Sequence, residues 1–259
     1  LLSYSPNINY FETDKACMDE VAKNYGTLKK AWEWAGQKGL ITFTWHWFSP
    51  LYGHAKSFYA DYTDFDADKA VIDGTPENIA LISDMDVMAG LLRPFCEKQI
   101  PILWRPFHEG DGDWFWWGSK GPDALKKLWR IMYERYTNVH KLNNLIWVWN
   151  SPVAECYPGD DVTDIISMDI YSPAHEHTSQ GDNYQNLIQI TSQPKITLIG
   201  ETGTLPSPAA LIKEKTGWAS YMTWSHEFCT SENYNTYEIL KEMYNSPYAI
   251  TLDQLPELY

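Results

Sequence analysis

The stretch PILWRPFHEGDGDWFWWG, residues 101–118, begins as a buried strand and ends in a polar turn that leads into four consecutive aromatic residues. A helix opened by TPEN at 75–78 precedes it and runs to about Lys98. A helix opened by GPD at 121–123 follows it and runs to about Leu142. A buried strand between two helices is the repeating unit of parallel α/β proteins, so this segment sets the expectation for the whole chain.

The same alternation continues on both sides of this segment. Six further apolar runs predict strands of the kind that is buried in a parallel sheet: LLSYS (1–5), LITFTWH (40–46), LIWVWN (145–150), IISMDIY (165–171), KITLIGE (195–201) and ASYMTW (219–224). Helices are predicted over about 13–37, from Ser207 to before Gly217, and from Thr236 to Tyr244. The chain has no internal repeat and no Gly/Ser linker, so we expect residues 1–259 to form a single domain.

Strand and helix alternation over 259 residues predicts a (β/α)8 TIM barrel, with a doubly wound open sheet as the alternative. No glycine-rich nucleotide-binding motif follows a strand, which disfavours the open sheet. The polar residues instead collect at the ends of several strands, which converge on one mouth of a barrel. These residues are His46, Arg105, His108, Glu109, Asp169, Tyr171, Glu201 and Trp224.

The charge balance limits the possible partners. Lys and Arg number 20 against 34 Asp and Glu, a net charge of −14, which disfavours nucleic acid and acidic membranes. No apolar stretch reaches the roughly 20 residues of a membrane helix. The chain has 13 Trp, 17 Tyr and 9 Phe, more aromatic residues than its core requires. Because indole rings stack on the apolar faces of sugars, this composition suggests a neutral carbohydrate partner.

The four cysteines lie far apart and lack the paired spacing of a zinc site. They could be free thiols or form at most two disulfides, and the sequence leaves open the pairing of Cys17, Cys96, Cys156 and Cys229.

Two carboxyl residues stand out at predicted strand ends. Glu109 adjoins the aromatic run at 114–117, and apolar surroundings should raise its pKa, as a general acid requires. Glu201 ends KITLIGE. Two carboxyls at one barrel mouth fit glycoside hydrolysis, in which one protonates the leaving oxygen and the other attacks or activates water. Glu109, Asp111 and Asp113 do not suggest a calcium loop, since Ca²⁺ needs six to eight oxygens and the rest of this loop is aromatic. No metal and no cofactor is expected.

The run RPFHEGDGDWFWWG, Arg105 to Gly118, resembles the signature of glycoside hydrolase family 26, a clan A family of retaining enzymes dominated by endo-β-1,4-mannanases. Further matches occur in order along nearly the whole chain: TWHWFSP (44–50), YPGDD (157–161), MDIY (168–171), LIGETG (198–203) and MTW (222–224). The resemblance implies the clan's TIM barrel.

The resemblance also implies residue roles. Glu109 would be the acid/base and Glu201 the nucleophile, about 5–5.5 Å apart as retention requires. Tyr171 would hydrogen-bond the nucleophile, and Trp114 and Trp224 would line the subsites around the scissile bond. His46 would contact the sugar on the glycone side. His108, the neighbour of Glu109, would contact substrate or serve a structural role. We interpret Arg105 as a partner of carboxylates inside the barrel rather than a sugar ligand, and Trp104, Trp147 and Trp149 as core residues.

We therefore expect a secreted or cell-surface, retaining endo-β-1,4-mannanase that acts on a neutral β-linked polysaccharide. We expect a monomeric catalytic domain, to which carbohydrate-binding modules could be appended. A mixed-linkage β-glucanase, a β-1,3-xylanase or a non-catalytic carbohydrate-binding barrel are the alternatives.

The strand count adds one expectation. In clan A barrels the acid/base follows strand four and the nucleophile strand seven, whereas Glu109 follows the third predicted strand and Glu201 the sixth. We therefore expect LLSYS to be the second strand, with further residues encoded before Leu1. A gap between Leu1 and the strand at 219–224, or a segment filling it, should follow.

Overall fold

The computed structural model describes residues 2–3, 15, 19, 22, 26–52 and 55–256. Seven strands form one sheet in chain order, and each pairs in parallel with the next. They are β1 (Leu2–Ser3), β2 (Ile41–His46), β3 (Ile102–Arg105), β4 (Leu145–Asn150), β5 (Ile165–Ile170), β6 (Ile196–Thr202) and β7 (Trp218–Thr223). All seven predicted strands are present, and the predicted βα-barrel class is confirmed.

Helices connect the strands and cover the outer side of the sheet. The α-helices are α1 (Thr27–Ala35), α2 (Ala67–Ala70), α3 (Pro76–Glu97), α4 (Pro122–Glu134), α5 (Gly181–Ile188), α6 (Pro208–Glu214), α7 (Glu227–Thr230) and α8 (Tyr237–Asn245). The predicted Pro-initiated starts are confirmed, and the side chains of Thr75 and Ser207 accept backbone hydrogen bonds as N-caps. Most of the predicted helix before α1 falls outside the described residues.

Several elements differ from the sequence expectation, among them the short helices α2 and α7, which were not predicted. Helix α4 ends at Glu134 and continues as a π-helical turn over Arg135–Val139, so the predicted helix to Leu142 changes its hydrogen-bond pattern before its end. Strand β3 ends at Arg105 rather than at Phe107, which adopts a left-handed φ of 52°. Helix α5 was not predicted, because it starts without a side-chain cap and Leu187 is its buried residue.

The core has two parts on opposite sides of the sheet. On the outer side, the strands pack against the helices through a cluster that contains Trp104, Trp147 and Trp149, as predicted. On the inner side, Val148, Ile165 and Leu198 form a second cluster with partly buried neighbours. This division between an outer and an inner apolar layer is that of a βα-barrel.

Strand β6 carries a β-bulge just before its end. Met168 of β5 pairs with Ile199, but the next residue, Asp169, pairs with Glu201, so Gly200 is an additional residue on β6. Gly200 lines the inner, concave side of the sheet. Strict alternation of side chains would send the next residue, Glu201, to the outer side. The bulge instead directs Glu201 to Arg105 on the concave side.

The concave side opens beside β7. Within the described residues, β7 pairs with β6 and no pairing joins it to β1. A cavity of about 1090 Å³ lies there, lined by inward-facing residues of β2, β3 and β6 and by residues 219–226. The part of the chain that the structure describes holds seven strands, the number that the sequence predicts. The expectation of further residues before Leu1 stays a prediction.

Two other sequence questions are answered for the described residues. Cys96, Cys156 and Cys229 are free thiols, whereas Cys17 lies outside the described residues. None of the described helices is long and apolar enough to cross a membrane.

Candidate active site

The turn after β3 presents Glu109 in an uncommon backbone conformation. Phe107 and Glu109 have φ values of 52° and 50°, in the left-handed region that residues other than glycine rarely adopt. The amide N–H of Glu109 donates to Oδ1 of Asn150 at 2.8 Å. The carbonyl of His108, the residue between Phe107 and Glu109, accepts from Nε1 of Trp117 at 2.9 Å. Two hydrogen bonds from other parts of the chain therefore hold the turn.

The aromatic run after this turn is anchored to the loop that follows β2. Tyr59 and Phe115 form an antiparallel bridge, and the amide of Ala60 donates to the carbonyl of Trp114 at 2.7 Å. Trp114 remains 46% exposed, and its Nε1 donates to Oε2 of Glu109 at 3.0 Å. An exposed indole beside a carboxyl group is therefore fixed at the mouth.

Glu109 has the electrostatics of a general acid. Its pKa is raised from 4.5 to about 7, first by burial and then by the charges of Asp169 and Glu201. The hydrogen bond from Trp114 and the charge of Arg105 act in the opposite direction. Glu109 therefore carries its proton over a range in which an ordinary glutamate has lost it.

Glu201 is held differently, as a buried carboxylate. Its Oε1 accepts from Nη2 of Arg105, and its Oε2 accepts from the hydroxyl of Tyr171 at 2.9 Å. Burial raises its pKa, whereas Arg105 opposes that shift with its charge and its hydrogen bond. Burial and the charge of Glu201 raise the pKa of Tyr171, so that its hydroxyl stays a donor. Both oxygens of Glu201 are therefore fixed in direction.

Arg105 joins Glu201 to a second acidic residue. Its Nη1 donates to both oxygens of Asp169, at 2.9 and 3.1 Å, and its Nε donates to Oγ1 of Thr44 at 3.0 Å. The guanidinium is 2% exposed, and its partner carboxylates are similarly buried. The interpretation of Arg105 as an inner-barrel partner of carboxylates is confirmed.

The three carboxyl groups lie close together. Oxygen atoms of Glu109, Asp169 and Glu201 are all within 4.8 Å of one another. A distance of at most 4.8 Å between one oxygen of Glu109 and one of Glu201 fits the roughly 5–5.5 Å carboxyl separation of retaining glycosidases better than the roughly 6.5–9.5 Å of inverting ones. Three carboxylates can also hold a cation, but the guanidinium of Arg105 already binds two of them. The arrangement suits acid/base and nucleophilic chemistry.

The two predicted histidines form a stacked pair. Their Nε2 atoms are 3.0 Å apart, and the rings are 4.7 Å apart and nearly parallel, at 9°. Burial and the charge of Arg105 lower the pKa of His46 to about 3, and burial lowers the pKa of His108 well below its ordinary value. Both rings are therefore neutral, and one Nε2 donates to the other.

The pair reaches the cavity through His46 alone. His46 lines the cavity on the concave side. His108 is 1% exposed and lies against Phe115 and Trp117. This position favours the structural alternative for His108, whereas the sugar contact of His46 stays a prediction.

The remaining predicted residues lie around the same opening. Trp224 follows β7, lines the cavity and donates its amide N–H to the carbonyl of Thr202 at 2.9 Å. Tyr171 follows β5 and is 48% exposed. Asp169 lies at a predicted strand end but was not among the predicted site residues, and neither was Asn150, which ends LIWVWN. The position of Asn150, one strand along from β3, was the available signal.

Comparisons of the sequence with known proteins agree on one family. The profile described as glycosyl hydrolase family 26 matches residues 9–254. A mannan endo-1,4-beta-mannosidase of Thermothelomyces thermophilus is 36% identical over 260 residues, which cover 98% of this chain and 52% of that protein. Mannan endo-1,4-beta-mannosidase B of a Piromyces species is 36% identical over 225 residues, which cover 87% of this chain and 39% of that protein. The chain thus spans about half or less of these relatives.

Solved structures show the same similarity. The GH26-CBM35 β-(1,4)-mannanase of Podospora anserina superposes with a TM-score of 0.84 at 35% identity, covering 90% of this chain and 55% of that one. A β-mannanase from a symbiotic protist of the termite Reticulitermes speratus, complexed with gluco-manno-oligosaccharide, has a TM-score of 0.83 at 37% identity, covering 89% and 72%.

Proposed function

We propose, since the chain belongs to glycosyl hydrolase family 26, that it is a retaining endo-β-1,4-mannanase. The observation that carries this proposal is the pair of carboxyl groups within 4.8 Å, one with a pKa raised to about 7 and the other bound by Arg105 and Tyr171. One carboxyl is prepared to give a proton and the other to attack.

In the first step, a carboxylate oxygen of Glu201 attacks the anomeric carbon. The glycosidic bond breaks, and the proton of Glu109 passes to the leaving oxygen. A covalent glycosyl-enzyme results, and the leaving sugar departs with its new hydroxyl group. The charge and the hydrogen bond of Arg105 favour the ionised form of Glu201, both as nucleophile and as leaving group.

In the second step, Glu109, now ionised, takes a proton from water. The water oxygen bonds to the anomeric carbon as the ester bond to Glu201 breaks. Two inversions give net retention. Glu109 ends the cycle protonated, as its raised pKa favours, and no cofactor is required.

Sugar recognition depends on the aromatic residues at the opening. Trp114, Trp224 and Tyr171 offer partly exposed ring faces beside the two carboxyls, and sugar rings stack on such faces. The net charge of −14 favours a neutral polymer over an acidic one. The choice of mannan follows the names of the relatives, which act as mannan endo-1,4-beta-mannosidases.

The proposal includes a cellular setting. A polysaccharide does not cross a membrane, so we place the enzyme outside the cell or on its surface. We expect the domain to act as a monomer. The Podospora anserina relative, in which GH26 is joined to CBM35, supports the idea of appended carbohydrate-binding modules.

A reducing-sugar assay on galactomannan, lichenan and β-1,3-xylan tests the substrate. We expect release from galactomannan, with much slower release from the other two. Proton NMR of the first products should show the β-anomer before mutarotation. Preferred hydrolysis of lichenan or xylan would overturn the mannan assignment, and α-anomer as first product would overturn retention. Binding to galactomannan with no hydrolysis of any of the three would indicate a binding barrel.

A further inference from the structure

Asn150 lies between the two carboxyl groups of the proposed site. It ends β4 and is 1% exposed. Its Oδ1 accepts the amide N–H of Glu109 at 2.8 Å, and its Nδ2 donates to Oδ1 of Asp169 and Oγ of Ser167, each at 3.0 Å. A backbone donor faces the oxygen and a carboxylate faces the nitrogen, so only one orientation of the amide satisfies both.

The bond to Glu109 acts on the backbone. With φ of 50°, Glu109 is in a conformation that costs free energy for any residue with a side chain, and contacts from outside the turn must maintain it. Asn150 binds the N–H of the strained residue itself. This hydrogen bond therefore helps to fix the direction in which the Glu109 side chain leaves the turn.

The bond to Asp169 acts on the other carboxyl. Asp169 binds Nη1 of Arg105, and Nη2 of the same guanidinium binds Glu201. A continuous series of hydrogen bonds thus runs from the backbone of Glu109 through Asn150, Asp169 and Arg105 to Glu201. Both reacting groups share one rigid, buried connection.

Gly200 leaves the space that this connection needs. A Cβ at Gly200 would lie 2.5 Å from Oδ1 of Asp169 and 2.8 Å from both Nη1 of Arg105 and Nδ2 of Asn150. Any side chain there would push on three members of the series at once. The residue before Glu201 is therefore restricted by packing.

We infer that Asn150 is a positioning residue that sets the relative placement of the two carboxyls, with Gly200 as the gap that admits it. The consequence for turnover rests on the proposed function. The consequence for Glu109 rests on geometry alone, so it is measured without substrate.

The test is a ¹³C NMR titration of glutamate carboxyls, with Glu109→Gln assigning the signal of Glu109. Asn150→Ala frees the turn, exposes the carboxyl and should lower the pKa of Glu109 from about 7 toward 4.5. Asn150→Asp still accepts the N–H of Glu109 but adds a negative charge, and should raise that pKa. Loss of a packing contact alone would not shift the pKa of Glu109 in opposite directions in the two variants.

Asn235→Ala is the matched control. Asn235 is fully buried and also makes three hydrogen bonds, accepting from Leu205 and donating to the carbonyls of Gly203 and Phe228. We expect it to lower the melting temperature while the pKa of Glu109 stays unchanged. If Asn150→Ala does not fold, Gly200→Ala takes its place and should also lower the pKa.

Turnover supplies the second readout. On the substrate that the wild type hydrolyses best, Asn150→Ala should lower kcat roughly 100-fold with little change in KM, as a misplacement of about 1 Å does. A Glu109 pKa that stays at its wild-type value in both Asn150 variants would overturn the inference. A wild type inactive on every polysaccharide would overturn the proposed function and leave the titration result standing.

Discussion

Glu109 and Glu201 are the same residue type at the same mouth, yet the two regions that hold them are built differently. Glu109 lies on a strained turn, partly exposed, with an indole N–H as its side-chain partner. Glu201 lies on strand β6 directly after its bulge, is 5% exposed, and binds a guanidinium and a phenol. The first region gives Glu109 no cation as a direct partner, whereas in the second region Arg105 binds Glu201 directly.

This difference assigns the chemistry. Glu109 has no cation as a direct partner and its pKa is raised to about 7, whereas Arg105 binds Glu201 and opposes the rise in pKa that burial causes there. The roles thus follow from the surroundings and not from the residue type. Each variant below changes one of the two regions, and its measurement shows whether Glu109 and Glu201 still differ in their roles.

The largest expected effect comes from removing either carboxyl. Glu201→Ala should abolish turnover of every substrate, by at least about 10⁴-fold in kcat. Glu109→Ala should lose polysaccharide hydrolysis similarly but retain activity on aryl glycosides whose leaving group needs no proton. Steady-state kinetics on galactomannan and on a dinitrophenyl mannobioside would measure both. Loss of aryl glycoside hydrolysis to the same extent in both variants would contradict the assignment.

A large effect should also follow from replacing Arg105, the cation that binds Glu201. Arg105→Lys keeps the charge but cannot bridge Glu201, Asp169 and Thr44 together, so kcat should fall roughly 10²-fold. Arg105→Met should destabilise the fold by about 3–5 kcal/mol, because it leaves two buried carboxylates without a cation.

Arg130→Lys is the control for this pair of variants. Arg130 binds Asp161 at the surface, where both side chains are well exposed. Exposed ion pairs contribute about 0–1 kcal/mol, so its unfolding free energy and kcat should stay near the wild type. Equal kcat losses in Arg105→Lys and Arg130→Lys would show that the buried bridge has no special role.

The raised pKa of Glu109 predicts the alkaline limb of the pH profile of activity. Glu109 must be protonated to react and its pKa is about 7, so kcat/KM should fall as the pH rises through about 7. Glu109→Gln should abolish this limb on activated aryl glycosides, because no proton is left to lose. A profile on galactomannan that stays flat to pH 9 would show that Glu109 is not the titrating acid.

The smallest expected effect concerns Trp114. Its N–H lowers the pKa of Glu109, so Trp114→Phe should move the alkaline limb upward by less than about one pH unit. The phenyl ring still stacks on sugar, so KM should rise only a few-fold. Trp32→Phe, on α1 and 40% exposed, is the control and should move neither quantity. A downward shift of the limb would contradict the role of the indole N–H.

The parts of this molecule that could be predicted from the sequence are those that local residue patterns determine. Apolar runs located all seven strands, and the position of Arg105 in a buried strand was enough to predict carboxylate partners. Helix α5 begins without a side-chain cap and has Leu187 as its buried residue, so its local signal was weak. The left-handed φ of Glu109 depends on a hydrogen bond from a strand 41 residues away, which periodicity cannot reveal. Asn150 was missed for the same reason.

The bulge at Gly200 has a consequence for how this segment can change in evolution. Most side chains on β6 can be exchanged one at a time, but the residue count from Ile196 to Glu201, together with the bulge at Gly200, decides which face receives Glu201. One residue more or fewer ahead of a retained bulge would turn Glu201 toward the helices, even with every other residue of the site kept. We therefore expect viable sequence variants to conserve the spacing of this segment more strictly than its composition. Insertions and deletions should be tolerated instead in the connections that leave the opposite, amino-terminal ends of the strands.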